Sequence, residues 1–363
     1  KAFDRQRAVT NAGHVVVLMG GHSAEREISL LSGEAVLQSL IRSGVRASKL
    51  DVDERIVEKL SALAPDFALN MLHGEGGEDG VIQGFLETIG IPYSGSGVLA
   101  SALAMDKIRA KQIWLQSSLA TPDYELLSEQ TDWETVAARL GLCVVKPVSG
   151  GSSLGIAKAR SASELQTAYQ SALKVGAKVM AERCIDGPEY TIGVLDGEIL
   201  PSIELTARGE IFDFEAKYLS ETTQLICPAN LDEKDARELN SLAIAAYEAL
   251  GCSGTARVDV MRDSQGCFQL LEVNTLPGMT QHSLIPRAAA ELGIDFDEQG
   301  NLWVHEMGPR HGDELNLIEK ARNYGYPTVS QGDHYSGVKI SNHEDIPIFK
   351  SPEKAWVPAI SPA

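Results

Sequence analysis

Short apolar runs alternate along this chain with longer amphipathic stretches. His14-Val-Val-Val-Leu-Met19 and Phe67-Ala-Leu-Asn-Met-Leu72 are apolar at nearly every position, the pattern of strands covered on both faces. Each runs into glycine-rich sequence. After the first comes Gly20-Gly21-His22-Ser23, with Ser23 as a helix cap, Glu25 in the first turn, and a helix to about Ser43. A backbone of this kind presents N–H groups to an anion, and Glu25 either complements the helix dipole or meets a ligand ammonium. After the second comes His73-Gly-Glu-Gly-Gly-Glu-Asp-Gly80, a strand-end loop suited to ligand contact, then a helix over Val81–Ile89. Strand–helix alternation here predicts an open parallel sheet.

Further along, Met105-Asp106-Lys107 opens a basic helix to about Gln116, and Cys143–Pro147 reads as a strand carrying Lys146 near its end. A glycine- and serine-rich loop over 148–155 follows, then a strand at 156–159. With two lysines in one region, this loop suits a phosphate cover. Residues 178–185 read as a strand, 190–195 and 198–203 as a hairpin around Asp196-Gly197, and 231–250 as an amphipathic helix.

The stretch 257–283 reads as two strands joined by the turn Asp263-Ser264-Gln265-Gly266. Pairing Arg262 with Cys267 sets Asp259 opposite Leu270. On that register Leu270, Glu272 and Asn274 share one face with Asp259, with Arg257 one step away. Two carboxylates and an amide oxygen, without His or Cys, suit magnesium serving a substrate phosphate; the spacing alone fits a solvated acidic face of an amphipathic hairpin equally well, and the Pro277-Gly278 turn after the strand favours a site.

Composition narrows the partners. The 363 residues suffice for two or three domains, and 44% apolar with 23% charged residues is ordinary for a globular protein. A net charge of −18 argues against nucleic acid or an anionic membrane surface as partner. No apolar run approaches the length of a membrane span. Five scattered cysteines without metal spacing suit reduced thiols in a cytoplasmic protein.

Taken in order, the motifs GGHSAEREIS (20–29), HGEGGEDG (73–80), SGSG (94–97), MDK (105–107), VKP (145–147), GGSSLG (150–155), GPE (187–189), EAKY (215–218), ARVDV (256–260) and EVNTLPGMTQHS (272–283) resemble the D-alanine–D-alanine ligases of the ATP-grasp superfamily, from about residue 14 to 297. The resemblance implies an α/β, three-domain ATP-grasp fold. An N-terminal open parallel sheet would occupy 1–104, a central lobe 105–187, and a last lobe with the metal site 188–297, the two lobes gripping ATP. It implies ATP-dependent joining of two D-alanines through an acyl phosphate, for peptidoglycan precursor synthesis. The alternative is a related ligase with another acceptor such as D-lactate, and Tyr218 favours the dipeptide.

Residue by residue, the resemblance assigns two magnesium ions, with manganese as a substitute, to Asp259, Glu272 and Asn274. Lys107, Lys146 and Lys217 would contact phosphates, and Glu182, Ile185 and Glu189 would face adenine and ribose. Glu25 would hold the ammonium of the first D-alanine, with His73 nearby. Arg257 and the Gly278 N–H would stabilise the oxyanion, and Ser283 with the Leu284 backbone would take the second carboxylate. Glu25, Ser152 and Tyr218 would close the loop over the site. A homodimer is expected.

Residues 298–363 depart from this pattern. GNLWVHEMGPRHGDELNLI (300–318) and ARNYGYP (321–327) resemble the soluble quinone-dependent sugar dehydrogenases, which are β-propellers. That length makes a blade or so, too little for a quinone site. A blade buries its faces against neighbours, so alone it should be poorly ordered or docked on the rest.

Overall fold

The computed structural model describes residues 12–151, 155–195, 197–206, 224–280 and 283–292, together with short strands at 302–306, 314–318 and 354–355. Strand β1 (His14–Gly20) leads through helix α1 (Arg26–Arg42) to β2 (Arg46–Val52). Helix α2 (Ile56–Leu63) and β3 (Phe67–Asn70) follow. The three strands pair in parallel in the order β2-β1-β3. The unbroken apolar run of β1 has a direct cause. Val16 and Leu18 join one core with Leu60 and Leu86, while Val17 and Met19 join another with Val36 and Leu37 of α1. Both faces are covered, as expected of a parallel sheet.

Helix α3 (Val81–Ile89) is followed by α4 (Val98–Met105) and α5 (Lys107–Gln116), the last capped by Asp106, whose side chain accepts from the Arg109 N–H. The expected boundary at 104/105 falls within the last turn of α4, just ahead of α5. Ala104, Ala110 and Trp114 of this pair share one core with Leu239, Val258 and Leu270, and the Trp114 indole N–H donates to the Ala246 carbonyl at 3.2 Å.

A four-stranded antiparallel sheet comes next, formed by β4 (Tyr124–Leu127), β5 (Cys143–Pro147), β6 (Ala157–Ala159) and β7 (Val179–Arg183) in the order β4-β7-β5-β6. Helices α6 (Trp133–Leu140) and α7 (Ala162–Ala172) pack against it. The last sheet holds β8 (Glu189–Leu195), β9 (Glu198–Ile199), β10 (Ile203–Thr206), β11 (Gln224–Ile226), β12 (Thr255–Arg262) and β13 (Phe268–Asn274), ordered β11-β10-β8-β12-β13 with β9 also on β8. It is backed by α8 (Glu233–Ala249) and flanked by α9 (Leu284–Ala290). Strands at Leu302–Glu306, Glu314–Ile318 and Lys354–Ala355 form an antiparallel sheet; the expectation that the tail docks on the rest lies outside the described residues. Among the described residues no helix is long and apolar enough to cross a membrane.

The hairpin register differs from the sequence expectation. The turn residues are right, with the Gly266 N–H donating to the Asp263 carbonyl, but Asp263 itself closes the ladder by donating to Cys267. Arg262 therefore pairs with Phe268, and an irregularity between Asp259 and Val260 leaves Leu271 as an extra residue. The two slips together set Asp259 opposite Glu272, and Arg257 opposite Asn274. Leu270 does not share the acidic face. It is fully buried in the core, and Leu271 takes the cavity side.

Candidate active site

A cavity of about 1220 Å³ is lined by residues of the four-stranded and six-stranded sheets and by the glycine-rich loops that follow β1 and β3. Its floor is the β12–β13 hairpin. Alternation sends Arg257, Asp259 and Met261 to the cavity and Val258 and Val260 to the core, and the bulge brings Glu272 and Asn274 beside them. Asp259 is buried and fully engaged. Its Oδ1 accepts from the Thr191 hydroxyl at 2.5 Å and from Arg257 Nε at 2.9 Å, and its Oδ2 from Arg257 Nη2 at 2.8 Å, a two-pronged pair, with Asn274 Nδ2 at 3.5 Å.

Cations stand around this floor. Lys107, at the start of α5, donates to the Gly150 carbonyl at 2.7 Å and pairs with Glu272 at 3.2 Å. One ammonium thus ties the glycine-rich loop to the carboxylate floor. The loop also leans on the opposite wall. A Cβ at Gly151 would sit 3.0 Å from Glu25 Oε1, so a larger residue there would make the Glu25 carboxylate give way. Lys146 of β5 faces the cavity and pairs with Glu182.

The N-terminal domain forms the far wall. Glu25, not Ser23, holds the cap position of α1, and it makes no side-chain cap bond. Ser23 instead accepts from the Glu25 N–H and donates to the His73 carbonyl at 2.6 Å, tying the two glycine-rich loops together while the Glu25 carboxylate lines the cavity. Burial, aided by nearby Arg257, lowers the His73 pKa from 6.5 to about 4, so the ring is neutral at pH 7. Its Nε2 lies 3.3 Å from the Ser32 hydroxyl, within hydrogen-bond reach. Ser32 in turn accepts from the Met279 N–H at 3.3 Å. His73 and Ser32 so hold the turn that presents Gly278. Glu78 accepts from the Gly74 N–H at 2.7 Å and lines the same cavity, and burial, with Glu25 nearby, raises its pKa to about 8.

The remaining expected residues divide. Ile185 and Glu189 line the cavity beside Gly187 and Pro188. Glu182 lines it too, but its carboxylate is committed to Lys146 and Lys111, so it does not stand ready for ribose as a free acceptor. Gly278 reaches the cavity; Ser283 lies directly behind it, its Oγ 3.1 Å from where a Gly278 Cβ would be and bonded to Thr280. Leu284 packs against the cluster around Ile285. Ser152, Lys217 and Tyr218 lie outside the described residues. Sequence reasoning missed Ser32, Glu78 and Lys111. Ser32 and Lys111 sit on helices and read as ordinary surface positions, and Glu78 reads as one more acid in a polar loop.

Among the described residues no three His, Cys, Asp or Glu side chains converge to hold a metal ion. The converging set is two carboxylates and a carboxamide, all oxygen donors, with Arg257 and Lys107 neutralising the acids. This suits a hard divalent cation that takes its other ligands from phosphate and water.

Comparison with known proteins follows the same lines. The family described as D-ala D-ala ligase C-terminus matches residues 113–299, and that described as D-ala D-ala ligase N-terminus matches 45–96. A D-alanine--D-alanine ligase of Nitrosococcus oceani is 52% identical over 287 residues, covering 79% of this chain and 91% of that protein. The chain belongs to the D-alanine–D-alanine ligase family. Its fold is the ATP-grasp fold of that family. A ligase structure from Bacillus anthracis superposes with a TM-score of 0.71 at 37% identity, over 78% of this chain and 94% of that one. The structure of the Bacillus anthracis ligase complexed with ATP gives 0.69 at 34%, with the same coverage. A second family match overlaps the end of the first. The family described as Glucose / Sorbosone dehydrogenase matches 289–363, in line with the departure seen in the sequence.

Proposed function

We propose that this chain joins two D-alanine molecules into D-alanyl-D-alanine, with ATP converted to ADP and phosphate, in the cytoplasm and as a homodimer. The γ-phosphoryl group passes to the carboxylate of the first D-alanine. The amine of the second attacks the acyl carbon, and the tetrahedral adduct expels phosphate. The observation that carries this reading is the meeting of Lys107, Glu272, Asp259 and Arg257 under the glycine-rich loop, opposite Glu25. A carboxylate for an ammonium, cations for phosphates, and an arginine for an oxyanion face one volume.

The residues present fit a divalent cation, which Asp259, Glu272 and Asn274 would hold. When bound, magnesium or manganese supplies charge neutralisation for the transferring phosphoryl group. The chain's own groups do the rest. Lys107 and Lys146, with Lys217, orient phosphates. Ile185 and Glu189 border the adenine and ribose. Glu25 draws the first ammonium into place beside neutral His73. Arg257, held in a fixed plane by Asp259, points a guanidinium edge at the developing oxyanion, with the Gly278 N–H as a second donor. Ser283 and the Leu284 N–H take the second carboxylate. Closure of the loop through Glu25, Ser152 and Tyr218 excludes water from the acyl phosphate.

The test is phosphate release from ATP and magnesium with D-alanine, set against L-alanine, with the product identified by mass spectrometry. Phosphate release and dipeptide with the D isomer alone are expected. Failure to release phosphate would overturn the reading, and an ester formed preferentially when D-lactate is added would transfer it to the other acceptor.

A further inference from the structure

A buried charge cluster behind the nucleotide wall joins Lys146 to two groups that the chemistry above does not use, Glu182 and Lys111. Glu182, 4% exposed, pairs with Lys146 through one carboxylate oxygen and with Lys111 through the other. Lys146 faces the cavity, whereas Lys111 has no exposed surface at all. Its ammonium lies 2.9 Å from Glu182 Oε2, an ion pair off the line of a hydrogen bond. It donates instead to the Thr121 hydroxyl at 2.6 Å, and that hydroxyl donates to the Leu270 carbonyl at 2.7 Å. The Tyr124 ring lies 5.7 Å away as a further partner.

Two buried ammonium groups on one carboxylate is an excess. A single cation suffices to neutralise Glu182, and two repel each other, so the second lysine costs stability unless it does something else. The two are not equivalent. Lys111 is fixed by Thr121 on a helix that belongs to the core of the last sheet, and it has nowhere else to go. Lys146, by contrast, borders the cavity, so a ligand there could offer it a second partner. If Lys146 were the only partner, its departure would leave a buried carboxylate unpaired, and the carboxylate would hold it back.

We propose that Lys111 is the standing counter-ion of Glu182, a positioning residue that frees Lys146 to exchange its carboxylate partner for a nucleotide phosphate. The burial of Lys111, which lowers its pKa together with the neighbouring Lys146 charge, fits a site where one of the two cations is meant to leave. The inference rests on the reading that Lys146 meets phosphate.

The experiment compares binding of Mg–ADP and of adenosine to the full chain by calorimetry. The readout is the ratio of the two affinities, which cancels general damage to the pocket. Lys146→Met is expected to lower the ratio about tenfold or more. Lys111→Met should lower it similarly, because Glu182 then traps Lys146. Adding Glu182→Gln to Lys111→Met should restore it, since no buried charge remains to hold Lys146. Glu182→Gln alone should raise the ratio, and this variant decides the matter if Lys111→Met does not fold. A ratio unmoved by Lys111→Met or by Glu182→Gln, or a Lys111→Met defect that Glu182→Gln does not rescue, overturns the proposal. A ratio unmoved by Lys146→Met overturns the phosphate assignment of Lys146 first, and the proposal with it.

Discussion

Glu78 offers the sharpest quantitative test of the electrostatics. Its carboxyl is buried beside Glu25 and holds its proton to about pH 8, against 4.5 in an unfolded chain. The sign follows from proton counting. Below pH 4.5 folded and unfolded forms both carry the proton, and the contribution to stability is complete. As pH rises the unfolded chain releases its proton first, so stability falls by about 1.4 kcal/mol per unit until the folded group ionises near pH 8. Across that window the loss reaches about 5 kcal/mol. Glu78→Gln cannot ionise and keeps an oxygen for the Gly74 N–H. In urea unfolding with EDTA and no nucleotide, the variant should gain on the parent as pH rises from 5 to 8, and the gap should level off above that. A gap equal at pH 5 and pH 8 would refute a neutral Glu78 in the folded protein.

Three further outcomes are expected. His73 has the opposite sense: its folded pKa of about 4 lies below 6.5, so stability is lost as pH falls through that interval, about 3 kcal/mol in all; His73→Gln should flatten the acid side of the unfolding profile. Gly187→Ala would set a Cβ 1.9 Å from the Arg262 carbonyl oxygen, displacing the cavity edge at a cost of about 1–3 kcal/mol, read as a lower thermal midpoint and weaker Mg–ADP binding. Arg257→Lys keeps the charge but loses the two-pronged bond to Asp259, and kcat should fall about a hundredfold with little change in the KM for ATP.

The parallel strands were legible in the sequence because burial on both faces leaves an unbroken apolar run, as at Val15 to Met19. The hairpin was legible as an element but not in register. Nothing in Leu270-Leu271-Glu272 announces that Leu271 is an extra residue, because a bulge changes which way side chains point without changing the apolar pattern. The site residues came from ordered motifs and fell mostly where expected. What stayed hidden were polar groups whose meaning lies in distant partners. Lys111 looks like any lysine of a basic helix until Glu182 and Thr121 close around it, 71 and 10 residues away. Ser32 gains its role from His73 and Met279, both remote in the chain.

The hairpin floor also governs how the central lobe is mounted. The chain enters the four-stranded sheet through Ala120 and Thr121 and leaves it through Gly187 and Pro188, and all four rest on the hairpin. Ala120 and Thr121 bond to Leu270, Pro188 accepts from the Arg262 N–H, and Gly187 abuts the Arg262 carbonyl. The N-terminal domain is meanwhile latched to the last sheet by Ser96 and Ser253, each bonding the other. Both ends of the four-stranded sheet's segment are thus seated on the two strands that carry Asp259 and Glu272. The mounting of the central lobe and the reactive floor are one piece, so a change in the hairpin register would displace the lobe's footing together with the acidic pair.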